Sequence, residues 1–96
     1  MFKYRKIKID KSYIEAFFTK LQAKNLILLK GRKGYIMCGY LNLSVANKFK
    51  DCAAKIVGVS TIEDALKAKI HSCTPAATKL GIKSGQTVKK ALKLIV

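Results

Sequence analysis

Two apolar runs on either side of a glycine-containing turn constrain the fold more than any other feature of this sequence. Residues 26–29 read Leu-Ile-Leu-Leu, residues 30–34 read Lys-Gly-Arg-Lys-Gly, and residues 35–41 read Tyr-Ile-Met-Cys-Gly-Tyr-Leu. Apolar runs joined by such a turn predict a β-hairpin. Because both runs are apolar on both faces, we expect central strands covered above and below, or strands with one face buried by an oligomer partner.

The segments before the hairpin contain further strand signals. Residues 2–9 alternate as a strand does, but the alternation slips by one in the middle of the segment, which indicates a bulge or a register change. Residues 13–23 allow two interpretations. Ser12 and Glu15 can form a capping box ahead of apolar residues at helical spacing, whereas the aromatic and β-branched content of the segment suits a strand.

After the hairpin, the spacing of the apolar residues becomes that of helices. Apolar residues within residues 45–56 share one helical face, and Asn42 or Ser44 can serve as the N-cap. Residues 55–59 predict a short strand that ends this element.

Two more helix starts follow along the chain. Ser60 and Glu63 form a capping box that predicts a short helix. Thr74 followed by Pro75 predicts another, because proline at the first helical position loses no needed hydrogen bond. Gly81 is the predicted end of that second helix.

The last helix is predicted near residues 87–95, where an apolar stripe lies opposite lysines. Its predicted inward residues are Val88, Ala91, Leu92 and Ile95. Strands followed by helices are typical of an α+β domain. We therefore predict a single domain over residues 1–96, with a mainly antiparallel sheet from the N-terminal strands and the hairpin, packed by three to four short helices from the C-terminal half.

The chain carries a formal net charge of +15, spread along its length. Such a charge attracts phosphates, acidic proteins or anionic lipid heads. Eighteen of the 20 basic residues are lysines, which are strongly hydrated, so the charge fits a solvated surface as well as a nucleic-acid partner. No apolar stretch approaches the roughly 20 residues that cross a bilayer, and the N-terminus lacks an apolar signal segment. We expect a cytoplasmic protein without membrane association.

The cysteines and the single histidine argue against a structural metal or disulfide framework. Cys38, Cys52 and Cys73 are an odd number at wide spacing with no Cys-x-x-Cys pair, and His71 is the only histidine. The five acidic residues are scattered along the chain, so they predict no carboxylate-rich metal site. No metal site is therefore predicted, and the sequence leaves any cofactor unknown.

Cys38 is the one candidate nucleophile. A thiol between Met37 and Gly39 at the end of a strand can be approached closely by a ligand. No Lys or Arg occurs from Gly34 to Asn47, so a helix N-terminus would have to stabilise any thiolate. The alternative interpretation is that Cys38 is a small buried apolar residue, as most free cysteines are.

Several strings of residues match a known family. The strings are residues 33–41 (Lys-Gly-Tyr-Ile-Met-Cys-Gly-Tyr-Leu), 57–59 (Val-Gly-Val), 61–63 (Thr-Ile-Glu), 80–85 (Leu-Gly-Ile-Lys-Ser-Gly) and 91–92 (Ala-Leu). With them the chain resembles the YunC-like proteins, the domain of unknown function family 1805. The resemblance implies a compact domain of about this length with no established activity. It also implies that residues 13–21 form a strand, and that Cys38 alone among the cysteines belongs to the family pattern.

The leading functional hypothesis is an oligomeric ligand- or protein-binding module with a small pocket near Cys38. The residues expected to bind a ligand are Gly34, Tyr35, Met37 and Gly39. Two alternatives stay open at this point. One is a cysteine-dependent enzyme or redox protein that uses Cys38 as its catalytic residue, and the other is a lysine-rich nucleic-acid-binding protein.

Overall fold

Six strands form one sheet in the order in which they occur along the chain. A computed structural model describes residues 2–96. The elements are β1 Phe2–Ile9, β2 Ser12–Lys20, β3 Asn25–Lys30, β4 Tyr35–Met37, α1 Leu43–Lys48, β5 Ala53–Lys55, α2 Ile62–Lys67, β6 Ser72–Cys73, α3 Pro75–Leu80 and α4 Val88–Ile95. Adjacent strands are antiparallel except β4 and β5, which are parallel and are connected through α1. The α+β prediction is confirmed.

β1 and β2 form a long hairpin without a bulge. Their register runs unbroken from Phe2 opposite Thr19 to Ile9 opposite Ser12. The predicted bulge in β1 is therefore wrong. The apolar residues of β1 lie on both faces of the sheet. Phe2 and Tyr4 lie on one face, where both rings contact Phe17. Further along the strand, Ile7 and Ile9 pack against the core on the opposite face.

The strand predicted at residues 13–21 is confirmed as β2. Ile14 and Ala16 are fully buried at alternate positions, which is the period of a strand with one face on the core. The Ser12 and Glu15 capping box does not form. Long-range pairing with both β1 and β3 outweighs this local helix signal.

The main core lies between one face of the sheet and helices α2, α3 and α4. All four predicted inward residues of α4 are fully buried, and the lysines between them are exposed. Each fully buried Leu or Ile side chain contributes roughly 1.5–3 kcal/mol to the free energy of folding. Thr74 caps α3, and Gly81, in the left-handed region at φ 108°, ends it, as predicted. No helix in residues 2–96 is long and apolar enough to cross a membrane.

α1 covers only part of the opposite sheet face. Asn42 is its N-cap, and Ala46 packs with Leu41 and Ala53 in a small second cluster. The longer apolar helix face predicted for residues 45–56 is wrong, because the helix ends at Lys48 and Phe49 is 75% exposed.

Two predicted boundaries in the following segment are also wrong. The strand predicted at residues 55–59 lies instead at Ala53–Lys55, since Gly58 adopts a left-handed φ of 72° that interrupts an extended chain. Helix α2 is capped by Thr61 and not by Ser60. The Asp64 N–H donates to Thr61 Oγ1 at 3.0 Å, and the Asp64 carboxylate accepts from the Ser60 N–H at 3.2 Å. Asp64 thus takes the place predicted for Glu63, and its carboxylate binds the residue before the N-cap.

Candidate functional site

A cleft of about 340 Å³ opens at the carboxyl end of β4. We call it the Cys38 cleft. Three segments of chain form its walls, namely residues 23–25 before and at the start of β3, residues 38–40 after β4, and residues 57–60 between β5 and α2. The cleft is thus built where the ends of two neighbouring strands meet a loop, a common place for a binding site.

Hydrogen bonds hold the walls of the Cys38 cleft in place. The Asn25 side-chain amide donates to the carbonyl of Ser60 at 2.8 Å, which joins the first wall to the third. The Tyr40 hydroxyl approaches the carbonyl of Lys24 at 3.5 Å, which joins the second wall to the first. The opening between the walls is therefore fixed by contacts between segments far apart in sequence.

The loop of residues 57–60 has an irregular backbone that exposes apolar side chains. Gly58 takes a left-handed φ of 72°, which glycine adopts at little cost. Val57 beside it is 48% exposed. A Cβ atom added at Gly39, on the facing wall, would meet nothing within 4 Å. The space beside Gly39 is thus open to a ligand or to a larger side chain.

Cys38 lies at the base of this cleft and is only 4% exposed. Its Sγ accepts a hydrogen bond from the Ile27 N–H at 3.4 Å and donates to the carbonyl of Asn25 at 3.6 Å. The Cys38 N–H donates to the carbonyl of Ile27 at 3.1 Å. Both thiol contacts go to the backbone of β3, so the side chain ties the end of β4 to its neighbour as a small core residue does.

The amino end of β4 is built differently. Residues 30–34, which we call the basic turn, contact the last turn of α4, because the Lys33 N–H donates to the carbonyl of Ile95 at 2.8 Å. A Cβ added at Gly31 would overlap that same carbonyl, and one added at Gly34 would lie 2.7 Å from Cys52 Sγ. Both glycines are therefore required for close packing. The backbone of the basic turn therefore lies against the partially negative C-terminus of α4.

Tyr35 also belongs to this end of the strand. Its hydroxyl donates to Asp51 Oδ2 at 2.8 Å. Partial burial and the bond to the Asp51 carboxylate together raise the pKa of Tyr35 to about 12. The Asp51 carboxylate and the end of α4 make this a less favourable place for an anion than its basic side chains suggest.

The structure separates the residues that we expected to bind a ligand. Cys38 and Gly39 line the Cys38 cleft, while Gly34 and Tyr35 lie at the other end of β4. Met37 packs partly against the small cluster beneath α1. Only Cys38 and Gly39 of the five residues thus line the Cys38 cleft, and the roles of all five in binding stay predictions.

The remaining thiols and the histidine lie away from the Cys38 cleft walls. Cys73 Sγ is 3.6 Å from the Ile82 carbonyl oxygen, and partial burial, with a smaller effect from Cys73, raises the pKa of the Cys52 thiol. His71 is exposed, and its Nδ1 lies 3.0 Å from Ser72 Oγ. Within residues 2–96 no three His, Cys, Asp or Glu side chains come together in an arrangement that could hold a metal ion.

Sequence reasoning missed most of the cleft walls. Asn25 and Lys24 were not predicted to have a role, and Ser60 was predicted only to cap a helix, because a side chain that bridges two loops has no periodic signature. Gly58 was a usable signal: a glycine between two valines indicates a break in a strand.

Fold and cleft together define a class of protein: a small α+β protein with a six-stranded sheet and an open cleft at the end of a central strand. The profile of the family described as a domain of unknown function, DUF1805, matches residues 37–95. The chain therefore belongs to the YunC-like family, DUF1805. The matched residues include two of the three cleft walls and exclude the basic turn.

Two relatives agree with this assignment. The uncharacterized protein YunC of Bacillus subtilis (strain 168) is 39% identical over 90 residues, which are 90% of this chain and 89% of that protein. The crystal structure of a protein of unknown function from Thermoplasma acidophilum superposes with a TM-score of 0.96 at 34% identity, over 100% of this chain and 94% of the other. Both relatives support the fold, and neither name states an activity.

Proposed function

We propose that this protein is a homo-oligomeric binding module whose ligand occupies the Cys38 cleft. The observation that carries the proposal is the cleft itself, where three chain segments meet around space that no side chain fills. Its walls combine exposed apolar surface at Val57 with polar groups at Asn25, Tyr40 and Ser60. Apolar surface with a few placed polar groups is typical of small-molecule sites.

Gly39→Val tests the ligand site directly. Gly39 lines the cleft, and a Cβ added there meets nothing within 4 Å, so we expect a valine to occupy part of this space. Gly39 does not have the positive φ that would strain a side chain. Asn47→Val is the matched control, because it places the same side chain at an exposed position of α1.

The measurement is the melting temperature with malonate, malonamide, inorganic phosphate, trimethyl phosphate or putrescine at millimolar concentration. A ligand that binds the folded state raises the melting temperature. We expect at least one compound to raise it for the wild type and for Asn47→Val, but not for Gly39→Val. Equal responses of both variants, or no response of the wild type to any compound, would contradict a ligand site in the cleft.

The oligomer is proposed from the sheet face that α1 leaves uncovered. Across β1, β2 and β3 this face carries Phe2, Tyr4, Phe17 and Leu28, and Phe2 is 65% exposed. Its acidic residue, Glu15, accepts a hydrogen bond from Tyr4 at 2.8 Å and pairs with Lys30 at 3.7 Å. An exposed aromatic patch whose carboxylate is already paired is typical of the surfaces that two copies of one chain bury against each other. The exposed Lys6 and Lys8 lie on the same face beyond Tyr4 along β1, so we place the contact at the end of the face that carries Phe2 and Phe17.

Light scattering at micromolar concentration tests the oligomer. We expect the mass of a dimer for the wild type and of a monomer for the double variant Phe2→Ser, Phe17→Ser. Val57→Ser is the control, since Val57 is comparably exposed but lies in the cleft loop. A wild-type monomer under these conditions would refute self-association through this face.

A further inference from the structure

We infer that the ligand of the Cys38 cleft is a small oxyanion that carries a carboxylate or a phosphate group. The inference deepens the proposed ligand-binding function and rests on it. Three observations lead to it: backbone donors around the cleft, the charges that line it, and the contrast with the basic turn.

Backbone N–H groups around the cleft are available to a ligand. In residues 2–96, seven residues that line the cleft have an N–H group that donates to no other protein group, namely Ala23, Lys24, Gly39, Tyr40, Val57, Gly58 and Val59. The left-handed φ of Gly58 lets neighbouring N–H groups turn toward a common side, as in the backbone concavities that bind anions. Such a set of donors calls for an acceptor-rich ligand.

The charges that line the cleft favour the same class of ligand. Its ten lining residues include one cation, Lys24, and no Asp or Glu. One carboxylate outside the lining, that of Asp64, forms a hydrogen bond with a lining residue. It accepts from the Ser60 N–H as part of the cap of α2. The net charge of +15 adds a long-range attraction for any anion.

The basic turn has more cations but fewer available donors. There, Gly31 N–H bonds to Gly34 O at 2.9 Å, Lys33 N–H bonds to Ile95 O at 2.8 Å, and Tyr35 N–H bonds to Cys52 O at 3.0 Å. The first bond lies within the turn, the second joins it to α4, and the third joins the start of β4 to the residue before β5. Among residues 31–34, the N–H groups of Arg32 and Gly34 alone have no protein acceptor. The available N–H groups around the Cys38 cleft form no such bonds within the protein.

Calorimetric titration compares each oxyanion with a neutral analogue of similar shape. The pairs are inorganic phosphate with trimethyl phosphate, and malonate with malonamide, at about 0.15 M sodium chloride so that weak surface attraction is screened. We expect saturable binding of at least one oxyanion and none of its neutral partner. Whether phosphate alone, malonate alone or both bind would show which oxyanion group the cleft prefers.

Two pairs of variants locate the binding. Lys24→Met removes the cation of the cleft, and Lys33→Met removes the same side chain from the basic turn. We expect Lys24→Met to weaken binding about twofold to fivefold, the range of an exposed ion pair, and Lys33→Met to leave it unchanged. Gly39→Asp and Gly39→Asn introduce side chains of nearly the same shape that differ in charge. Because aspartate repels an anion, we expect Gly39→Asp to weaken oxyanion binding at least about tenfold more than Gly39→Asn does.

The outcomes separate this inference from the proposed function. One outcome is that neutral compounds bind, that Gly39→Val blocks their binding, and that neither oxyanion binds. In that case the oxyanion inference is wrong, while the proposed ligand-binding function stands. If nothing binds in the cleft, both are wrong. Equal losses in Lys24→Met and Lys33→Met would show general attraction to a basic surface, and that result also overturns the inference.

Discussion

The two ends of strand β4 differ in a way that is opposite to what their composition suggests: the basic end is closely packed, and the uncharged end opens into a cleft. The amino end carries the basic turn, with Lys30, Arg32 and Lys33, yet the Lys33 N–H and the two glycines of the turn serve close contacts with the end of α4 and with Cys52. The carboxyl end lies in the longest stretch of the chain without Lys or Arg, from Gly34 to Asn47, and it opens into the Cys38 cleft. Availability of donors, more than local charge, marks the candidate site.

The largest expected difference between the two ends is the response to an added methyl group. Gly31→Ala would place its Cβ against the Ile95 carbonyl, whereas Gly39→Ala meets nothing within 4 Å. We expect Gly31→Ala to lower the free energy of unfolding by about 2–3 kcal/mol, the upper part of the range for overpacking, because the backbone carbonyl it meets cannot yield. Gly39→Ala should change it between zero and a gain of about 1 kcal/mol, because alanine restricts the unfolded chain.

Urea denaturation of both variants measures this difference. A loss at Gly39 as large as at Gly31 would mean that the Cys38 cleft is filled in solution, and the contrast between the two ends would fail.

The next expected difference is thiol reactivity. Cys38 is 4% exposed with both thiol contacts on β3, whereas Cys73 is partly exposed. Alkylation of native protein by iodoacetamide, followed by mass spectrometry, should modify Cys38 at least about tenfold more slowly than Cys73, since Cys38 reacts only when the structure opens. Faster modification of Cys38, persisting at low pH, would instead support a cysteine-dependent enzyme.

The smallest expected difference concerns the two tyrosines at the ends of β4. Tyr35→Phe loses the 2.8 Å bond to Asp51, and we expect a cost of about 1 kcal/mol at pH 8. Tyr40→Phe loses only an exposed contact of 3.5 Å and should cost less than about 0.5 kcal/mol.

The pH dependence of the Tyr35 effect has a defined sign. Because folding raises the pKa of Tyr35 to about 12, its contribution is fully present below the ordinary tyrosine pKa of about 10 and is lost as the pH rises through 12. The difference between wild type and Tyr35→Phe should therefore shrink over that range in urea denaturation. A constant difference would show that the bond to Asp51 does not form in solution.

Local patterns predicted those parts of the fold that depend on neighbours in sequence. The caps at Thr74 and Gly81 and the buried stripe of α4 are set by residues within one or two turns, and all were predicted correctly. The end of α1 and the position of β5 were wrong, because they depend on how Ala46 and Ala53 pack across the sheet.

The candidate site was predictable only in part, for the same physical reason. Cys38 and Gly39 stand out as a thiol and a glycine at a strand end, but Asn25 and Ser60 meet only in the folded chain. The charge of the basic turn is visible in the sequence, but the bond from Lys33 to Ile95 joins residues too far apart along the chain for any local pattern to predict.

Amide chemical shifts during titration with malonate or inorganic phosphate test the central claim most directly, because they report both ends of β4 in one experiment. If the Cys38 cleft is the binding site, the signals of Gly39, Tyr40 and Gly58 should shift and saturate together, while those of Gly31 and Gly34 stay in place. Shifts that are largest at Gly31 and Gly34, or that spread evenly over the surface without saturation, would contradict the account.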